Sequence, residues 1–372
     1  MTIFAPLDGI TVIETASYWS VPVASKILAE LGAEVIKVES PKGDPMRASG
    51  PEQAGVSAGF ASANHGKRSA VLNLRCDDDR RVFEQLLETA DVLVENWRPG
   101  VADRLGFGLD EVRRRSPHLI RLSVNGFGSS GPRAGDPAFD DIFQGHTGLA
   151  VAQGRGDKPI TVAMSLCDIT TAYLGAQVVL AALLERERTG KGCDIELPML
   201  AATAYTFFFD QGKSHVFPEV QTHSDIALPS PVCPTKDGYI TLTLPLTHEQ
   251  VQAALALVGD PAPQTFDIST KSGYKAIFER IAARTGEATS ADWLERFLAK
   301  DIPAGPVLTT AEHLRDPQTQ AMGIYGILHD GEGPVRAPHF PARVRGAELR
   351  PLTTAPPFGR DTDSIKKSLQ NL

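Results

Sequence analysis

The residue in this chain best placed to do chemistry is Asp168. It heads a run, Ile169 to Leu184, with no charged residue, after which come Glu185, Arg186, Glu187, Arg188 and the stretch Thr189-Gly190-Lys191-Gly192. An aspartate ahead of an apolar helix is an ordinary N-cap, accepting a backbone N–H two or three residues on. The same position suits a nucleophile. Burial favours the protonated carboxyl group, and the positive end of a helix opposes that tendency. An ionised, poorly hydrated carboxylate is a competent nucleophile toward an activated acyl group. The neighbouring Cys167 has no basic residue near it in sequence and reads as a buried structural thiol.

Other chemistries find less support. The nine histidines show neither HxH nor HExxH spacing, and the four cysteines (Cys76, Cys167, Cys193, Cys233) form no CxxC pair. A metal site is therefore not expected, and the thiols read as free in a reducing cytoplasm. The net charge of -8 argues against a nucleic-acid surface, although a small anion needs only a few local cations. The opening MTIFAPLDGITVIE lacks the basic and apolar parts of a signal peptide. The uncharged run is too short for a membrane span and is interrupted by Thr170, Thr171 and Gln177. Neither nucleic acid nor membrane is expected as a partner.

A carboxylate of this kind needs a rigid scaffold. ITVIET, AEVIKVES, SAVLNL, DVLVENW and LIRLSVNGF read as strands, and VASKILAELG and DDDRRVFEQLLETA as helices between them. Alternation of this kind predicts a Rossmann-like parallel sheet covered on both faces. Glu39, after the second strand, invites a dinucleotide site, but the first loop, ASYWSVP, has no glycine and carries Tyr18 and Trp19. The close approach of backbone to pyrophosphate fails, and with it the NAD reading. The helix after Asp168 is uncharged all round and is expected to be buried, with Gly190 as its C-cap. Beyond about residue 215, Pro and Gly punctuate short strands and helices. The expected organisation is a large α/β domain over 1–215, completed by 311–372, and a smaller α+β domain over 220–310.

The ordered stretches PLDGITVIE, LGAEVIKVESPKGDPMR, NHGKRSAVLNL, ADVLVENWRPGVADRLG, LIRLSVNGFGSSGP, FDDIFQGHTGL, LERERTGKG, PTKDGYI, DIPAGPV, LRDPQTQAMG and APPFGRDT span nearly the whole chain. Together they resemble the family III CoA-transferases of the CaiB/BaiF type. The resemblance implies transfer of CoA from an acyl-CoA to a free carboxylic acid, with no cofactor beyond CoA itself. It assigns the nucleophile to Asp168, acting through an aspartyl anhydride and an aspartyl-CoA thioester. It also implies CoA contacts at Trp19, Ser20 and Ser40, at Leu72, Asn73, Leu74 and Arg75, at Asn96, Trp97, Arg98 and Arg104, and at Pro137, Ala138, Phe139 and Asp140. Arg75 and Arg104 suit phosphates, and Trp97 offers a flat apolar surface. The resemblance further implies a homodimer of interlocked chains.

The wider superfamily also contains α-methylacyl-CoA racemases, in which a histidine precedes the aspartate of a GHD segment. Here the segment is AFDDI: Phe139 stands in the histidine position, and His146 is out of register. Proton transfer on two faces needs two titratable groups, so transfer is favoured over racemisation. A non-catalytic CoA-binding homologue is the third reading, and retention of Asp168 argues against it. Three further features bear on substrate. NGFGSSGP (Asn125 to Pro132) is a candidate for close backbone approach. Phe207 to Phe209 could line an acyl pocket. ALPSPVCP stands where formyl-CoA:oxalate transferases carry a glycine run, so an enzyme acting on oxalate is not expected.

Overall fold

The computed structural model describes residues 2–53, 55–154, 158–216, 232–243, 247–260, 271–328, 335–351 and 353–370. Apolar, β-branched runs separated by helices place six strands in one parallel sheet. They are β1 (Thr11–Thr15), β2 (Glu34–Glu39), β3 (Arg68–Val71), β4 (Val92–Glu95), β5 (Ile120–Asn125) and β6 (Asp194–Pro198). Their order across the sheet is β3-β2-β1-β4-β5-β6. This is the order of dinucleotide-binding folds, with the reversal of strand order falling between the parallel neighbours β1 and β4. The first five strands coincide with the sequence reading. The sixth did not announce itself, because DIELP is a half-exposed edge strand without a continuous apolar run.

Alternate residues of each strand feed two cores. On one face Val12, Val94, Ile120 and Leu122 pack with α1 (Ser20–Glu30) through Val21, Ala24 and Leu28. On the other, Ile13, Ile36 and Leu93 meet Phe83, Leu86 and Leu87 of α2 (Asp77–Thr89). Ile365 and Leu369 of the C-terminal helix Thr362–Leu369 join this second core. The tail is fastened there by the Ser69 N–H, which donates to Asp361 Oδ2 at 2.9 Å. A short helix, α3 (Asp140–His146), precedes the long α4 (Leu166–Thr189), and α5 (Met199–Val216) follows β6. Gly190 ends α4 in the left-handed region at φ 68°. Where α4 packs on α1, Gly175 is buried, and a Cβ there would meet the Leu122 side chain at 3.3 Å and lie in ordinary contact with the Ala24 methyl group at 3.5 Å.

The expectation that α4 is buried all round needs correction. Cys167, Thr171, Ala172, Gly175, Ala176 and Val179 are buried, but Tyr173 is 55% and Leu184 64% exposed. The helix is long and apolar enough to cross a membrane by composition, yet its buried side is a core face of this fold.

The chain divides into two compact units, Met1–Asp210 with Gly323–Leu372, and Gln211–Met322. The smaller has an antiparallel sheet of Val232–Pro234, Tyr239–Leu242 and Ala304–Pro306. Helices His248–Leu257, Lys271–Thr285 and Ser290–Leu298 contribute Leu255, Ile277 and Phe297 to a core of its own. The architecture is thus a Rossmann-like α/β unit with a smaller α+β unit.

Candidate active site

Two helix starts converge on Asp168. The loop Ala16–Trp19 leaves the carboxyl end of β1 and turns into α1 at Ser20, which is buried. Helix α4 packs on α1 and begins at Leu166, so Asp168 is its third residue. Asp168 is therefore not its own helix cap. Ser165 occupies the N-cap position without a side-chain hydrogen bond. The cap comes from another element: Asp140, first residue of α3, accepts the Asp168 N–H through Oδ2 at 2.9 Å. Its other oxygen accepts from Gln144 Nε2 at 2.6 Å. Gln144 in turn accepts the Val162 N–H at 2.7 Å, fixing the approach to α4.

These contacts tune the Asp168 carboxyl group. Burial, and then the nearby Asp140 carboxylate, push the Asp168 carboxyl group from 3.8 up to about 7. The hydroxyl and backbone N–H of Ser20 act in the opposite direction, favouring the carboxylate. The shift brings its titration close to neutral pH, and strongly perturbed carboxyl groups of this kind are candidates for a chemical role. Cys167 is buried, and its thiol is pushed up to about 12, chiefly by that burial. It is no nucleophile at neutral pH.

Most residues expected to meet CoA lie in the loops leaving the carboxyl ends of four adjacent strands. Trp19 and Ser20 follow β1, Ser40 follows β2, Leu72 to Arg75 follow β3, and Asn96 to Arg98 follow β4. Open α/β sheets bind ligands at such ends, beside the reversal of strand order. The side chains differ in availability. Arg75, Arg98 and Arg104 are exposed and have no carboxylate partner among the described residues, whereas Arg80, Arg81, Arg113, Arg114 and Arg115 nearby are all ion-paired. Trp97 and Arg98 border a cleft of about 380 Å³ that continues past Arg121, Ser123 and Asn125. Ser40 and Asn73 are exposed, while Leu72 is a core residue and Leu74 packs beside it. Trp19 is half-buried between two apolar clusters. Asn96 spends its amide on the backbone of Ser17.

Pro137 and Phe139 are exposed and Ala138 half-buried; Asp140 is buried, and both its carboxylate oxygens accept hydrogen bonds from within the protein. The Phe139 ring stands edge-on to Tyr18 at 5.3 Å, beside the residues that hold Asp168. His146 contacts Phe127, at 5.8 Å between rings. In the glycine-rich loop, the Gly128 N–H is taken by Asn125 Oδ1 at 2.6 Å, and the Gly126 carbonyl accepts from Leu200. Phe207 is half-buried and Phe208 exposed on α5; the side chain of Phe209, and residues 227–231 of ALPSPVCP, lie outside the described residues. The sequence reading missed the roles of Gln144 and Asp140 toward α4. Their four-residue spacing in DDIFQ was the only available sign, and it does not reveal which helix they hold.

The sequence matches CoA-transferase family III over residues 7–362. The chain belongs to that family. It is 33% identical over 358 residues to the acetyl-CoA:oxalate CoA-transferase of Acetobacter aceti, covering 92% of this chain and 90% of the relative. It is 30% identical over 387 residues to the succinate–glutarate CoA-transferase of Agrobacterium fabrum, covering 99% and 96%. A crystal structure of a CaiB/BaiF family protein from Brucella suis superposes with a TM-score of 0.87 at 28% identity, covering 99% of this chain and all of the other. This family III member is accordingly a CoA-transferase, acting between an acyl-CoA and a carboxylic acid.

Proposed function

We propose that the enzyme transfers CoA by covalent catalysis at Asp168. A carboxylate oxygen of Asp168 attacks the thioester carbonyl carbon; the C–S bond breaks, leaving an acyl-aspartyl anhydride and CoA thiolate. The thiolate attacks Cγ of Asp168, releases the donor as its carboxylate and forms an aspartyl-CoA thioester. The acceptor carboxylate then attacks Cγ, expelling thiolate and forming a second anhydride. Thiolate attack on the acceptor carbonyl yields the new acyl-CoA and restores Asp168. The observation that carries the reading is the placement of this one carboxyl group, largely shielded from water and facing the N-terminus of α1. Water would waste an anhydride, so shielding is a requirement of this chemistry. The Ser20 N–H and hydroxyl are the groups at hand to stabilise charge on the Asp168 oxygens.

CoA is proposed to lie across the β1–β4 strand ends, with Arg75, Arg98 and Arg104 on its phosphates. That these three guanidinium groups have no carboxylate partner among the described residues supports that assignment. The relatives named for oxalate and glutarate make short dicarboxylic acids the first acceptors to test, oxalate among them despite the expectation drawn from ALPSPVCP, with acetyl-CoA and succinyl-CoA as donors. The chemistry calls on no cofactor beyond CoA. A homodimer is proposed on the open, uncharged faces of α4 and α5, where Tyr173, Leu184 and Tyr205 are exposed; light scattering giving a monomer would count against it. The four free cysteines fit a cytoplasmic setting.

Hydroxylamine intercepts both anhydride and thioester, so incubation with acyl-CoA should leave a hydroxamate on Asp168, located by peptide mass spectrometry. Asp168→Ala should lose roughly 10³-fold or more of the transfer rate. Full activity in that variant would remove the covalent mechanism.

A further inference from the structure

The loop between β1 and α1 is held by more contacts than a connector needs. Tyr18 is a non-glycine residue in the left-handed region, at φ 68°. An aromatic residue adopts that conformation only when its surroundings impose it. Four side chains do so here. Lys37 Nζ donates to the Ala16 carbonyl at 2.7 Å. The Tyr18 N–H donates to Asp44 Oδ1 at 3.3 Å. Lys67 Nζ donates to the Pro22 carbonyl at 2.8 Å, just inside α1. Between these contacts, Asn96 grips Ser17 on both sides: its Oδ1 accepts the Ser17 N–H at 3.2 Å and its Nδ2 donates to the Ser17 carbonyl at 2.8 Å.

Both lysines are anchored to Glu14 at 2.6 Å, wholly inside the protein. Asn96 stands where strand order reverses. Thr15 of β1 pairs with Glu95 of β4, so Asn96 is the first residue past the end of that register. Its side chain bridges the mouth between the two strands and clamps the loop three residues before Ser20.

We propose that Asn96 is a positioning residue for the nucleophile, holding the β1–α1 loop so that Ser20 faces the Asp168 carboxylate, and that its side chain is not a CoA contact. The inference rests on the covalent role proposed for Asp168. The chain of contacts is Asn96 to Ser17, through the strained Tyr18 to Ser20, and from Ser20 to Asp168. The other titratable groups bearing on Asp168 are Asp140, from α3, and Cys167 on its own helix. Those on the loop are Lys37, Lys67, Glu14 and Asp44. None of them reaches Ser17. That residue is held by Asn96 alone among the described side chains.

The test compares Asn96→Ala and Asn96→Asp with the parent enzyme in three measurements. CoA affinity is read by titration calorimetry with free CoA, the rate of hydroxylamine trapping with succinyl-CoA or acetyl-CoA, and loop order by amide exchange at residues 17–20. A positioning role predicts CoA affinity within about twofold of the parent, trapping roughly tenfold slower, and faster exchange at residues 17–20 in Asn96→Ala. Asn96→Asp keeps the acceptor for the Ser17 N–H and should recover part of both rate and protection. A tenfold loss of CoA affinity with unchanged exchange would make Asn96 a ligand contact and overturn the proposal. Should the parent trap nothing at Asp168 with either donor, the covalent reading fails. Unchanged exchange in Asn96→Ala would still refute the clamp, independently of that result.

Discussion

Replacing Asp168 by Asn separates what the proposed nucleophile contributes to chemistry from what it costs the fold. In the folded chain burial, followed by Asp140, pushes this carboxyl group from 3.8 up to about 7. A carboxyl group whose folded pKa lies above its unfolded value holds its proton more tightly when folded. Stability is then greatest below 3.8, declines as pH rises from 3.8 to about 7, and levels off above that. About three pH units at 1.36 kcal/mol each give roughly 4 kcal/mol as the ceiling. The group is not sealed from solvent, so water entry and relaxation should reduce the effect to about 2 kcal/mol at pH 8. Asn keeps an oxygen facing Ser20 and does not repel Asp140. The variant should therefore be inert in transfer yet melt about 4–8 °C higher than the parent at pH 8, using the scaling for units of this size. At pH 5 the advantage should fall to less than half. Thermal melts of both proteins at the two pH values decide the matter. Equal melting points at pH 8, or a difference independent of pH, would refute the strained-carboxylate argument.

Two further perturbations address the surroundings of that group. Asp140→Asn keeps a capping oxygen for the Asp168 N–H and removes the charge. The pH at which trapping reaches half its maximum should fall by about one from near 7, whereas Asp140→Ala should also lose about 1 kcal/mol of stability with the cap. Arg75→Ala, Arg98→Ala and Arg104→Ala should each raise KM for acyl-CoA about 3- to 20-fold while leaving kcat nearly unchanged. The effect should weaken as salt rises in steady-state assays. A fall in kcat at constant KM would place these arginines elsewhere in the reaction.

How much of this was legible in the sequence depends on the range of the interaction. The five strands from ITVIET to LIRLSVNGF were readable because each is a local apolar run, buried on both faces of the sheet. Edge strand β6 was not, since its alternating exposure resembles a loop. Asp168 itself was readable from its contrast with sixteen uncharged neighbours, Ile169 to Leu184. Its cap was not, because Asp140 lies 28 positions away and local pattern made Asp168 its own cap. Glu14, Lys37 and Lys67 were overlooked for the same reason. Each looks like one polar position among apolar neighbours, and only folding brings them within 2.6 Å.

The missing glycines of the first loop acquire a physical meaning at this point. In dinucleotide-binding folds the N-terminus of the helix after β1 receives a pyrophosphate, and glycines let the backbone approach it. Here the strand order is that of those folds, but the helix start faces a carboxylate of the protein itself, Asp168. An internal anion supplied by packed α4 requires no open phosphate cradle, so Tyr18, Trp19 and Ser20 can fill the loop. It also requires the loop to be rigid, because a displaced Ser20 would leave a half-buried charge without its donors, which accounts for the grip of Asn96 and the buried lysines. The proposed site for the phosphates of a CoA substrate lies elsewhere, at Arg75, Arg98 and Arg104, which have no carboxylate partner among the described residues and stand after β3 and β4, outside the loop that faces Asp168.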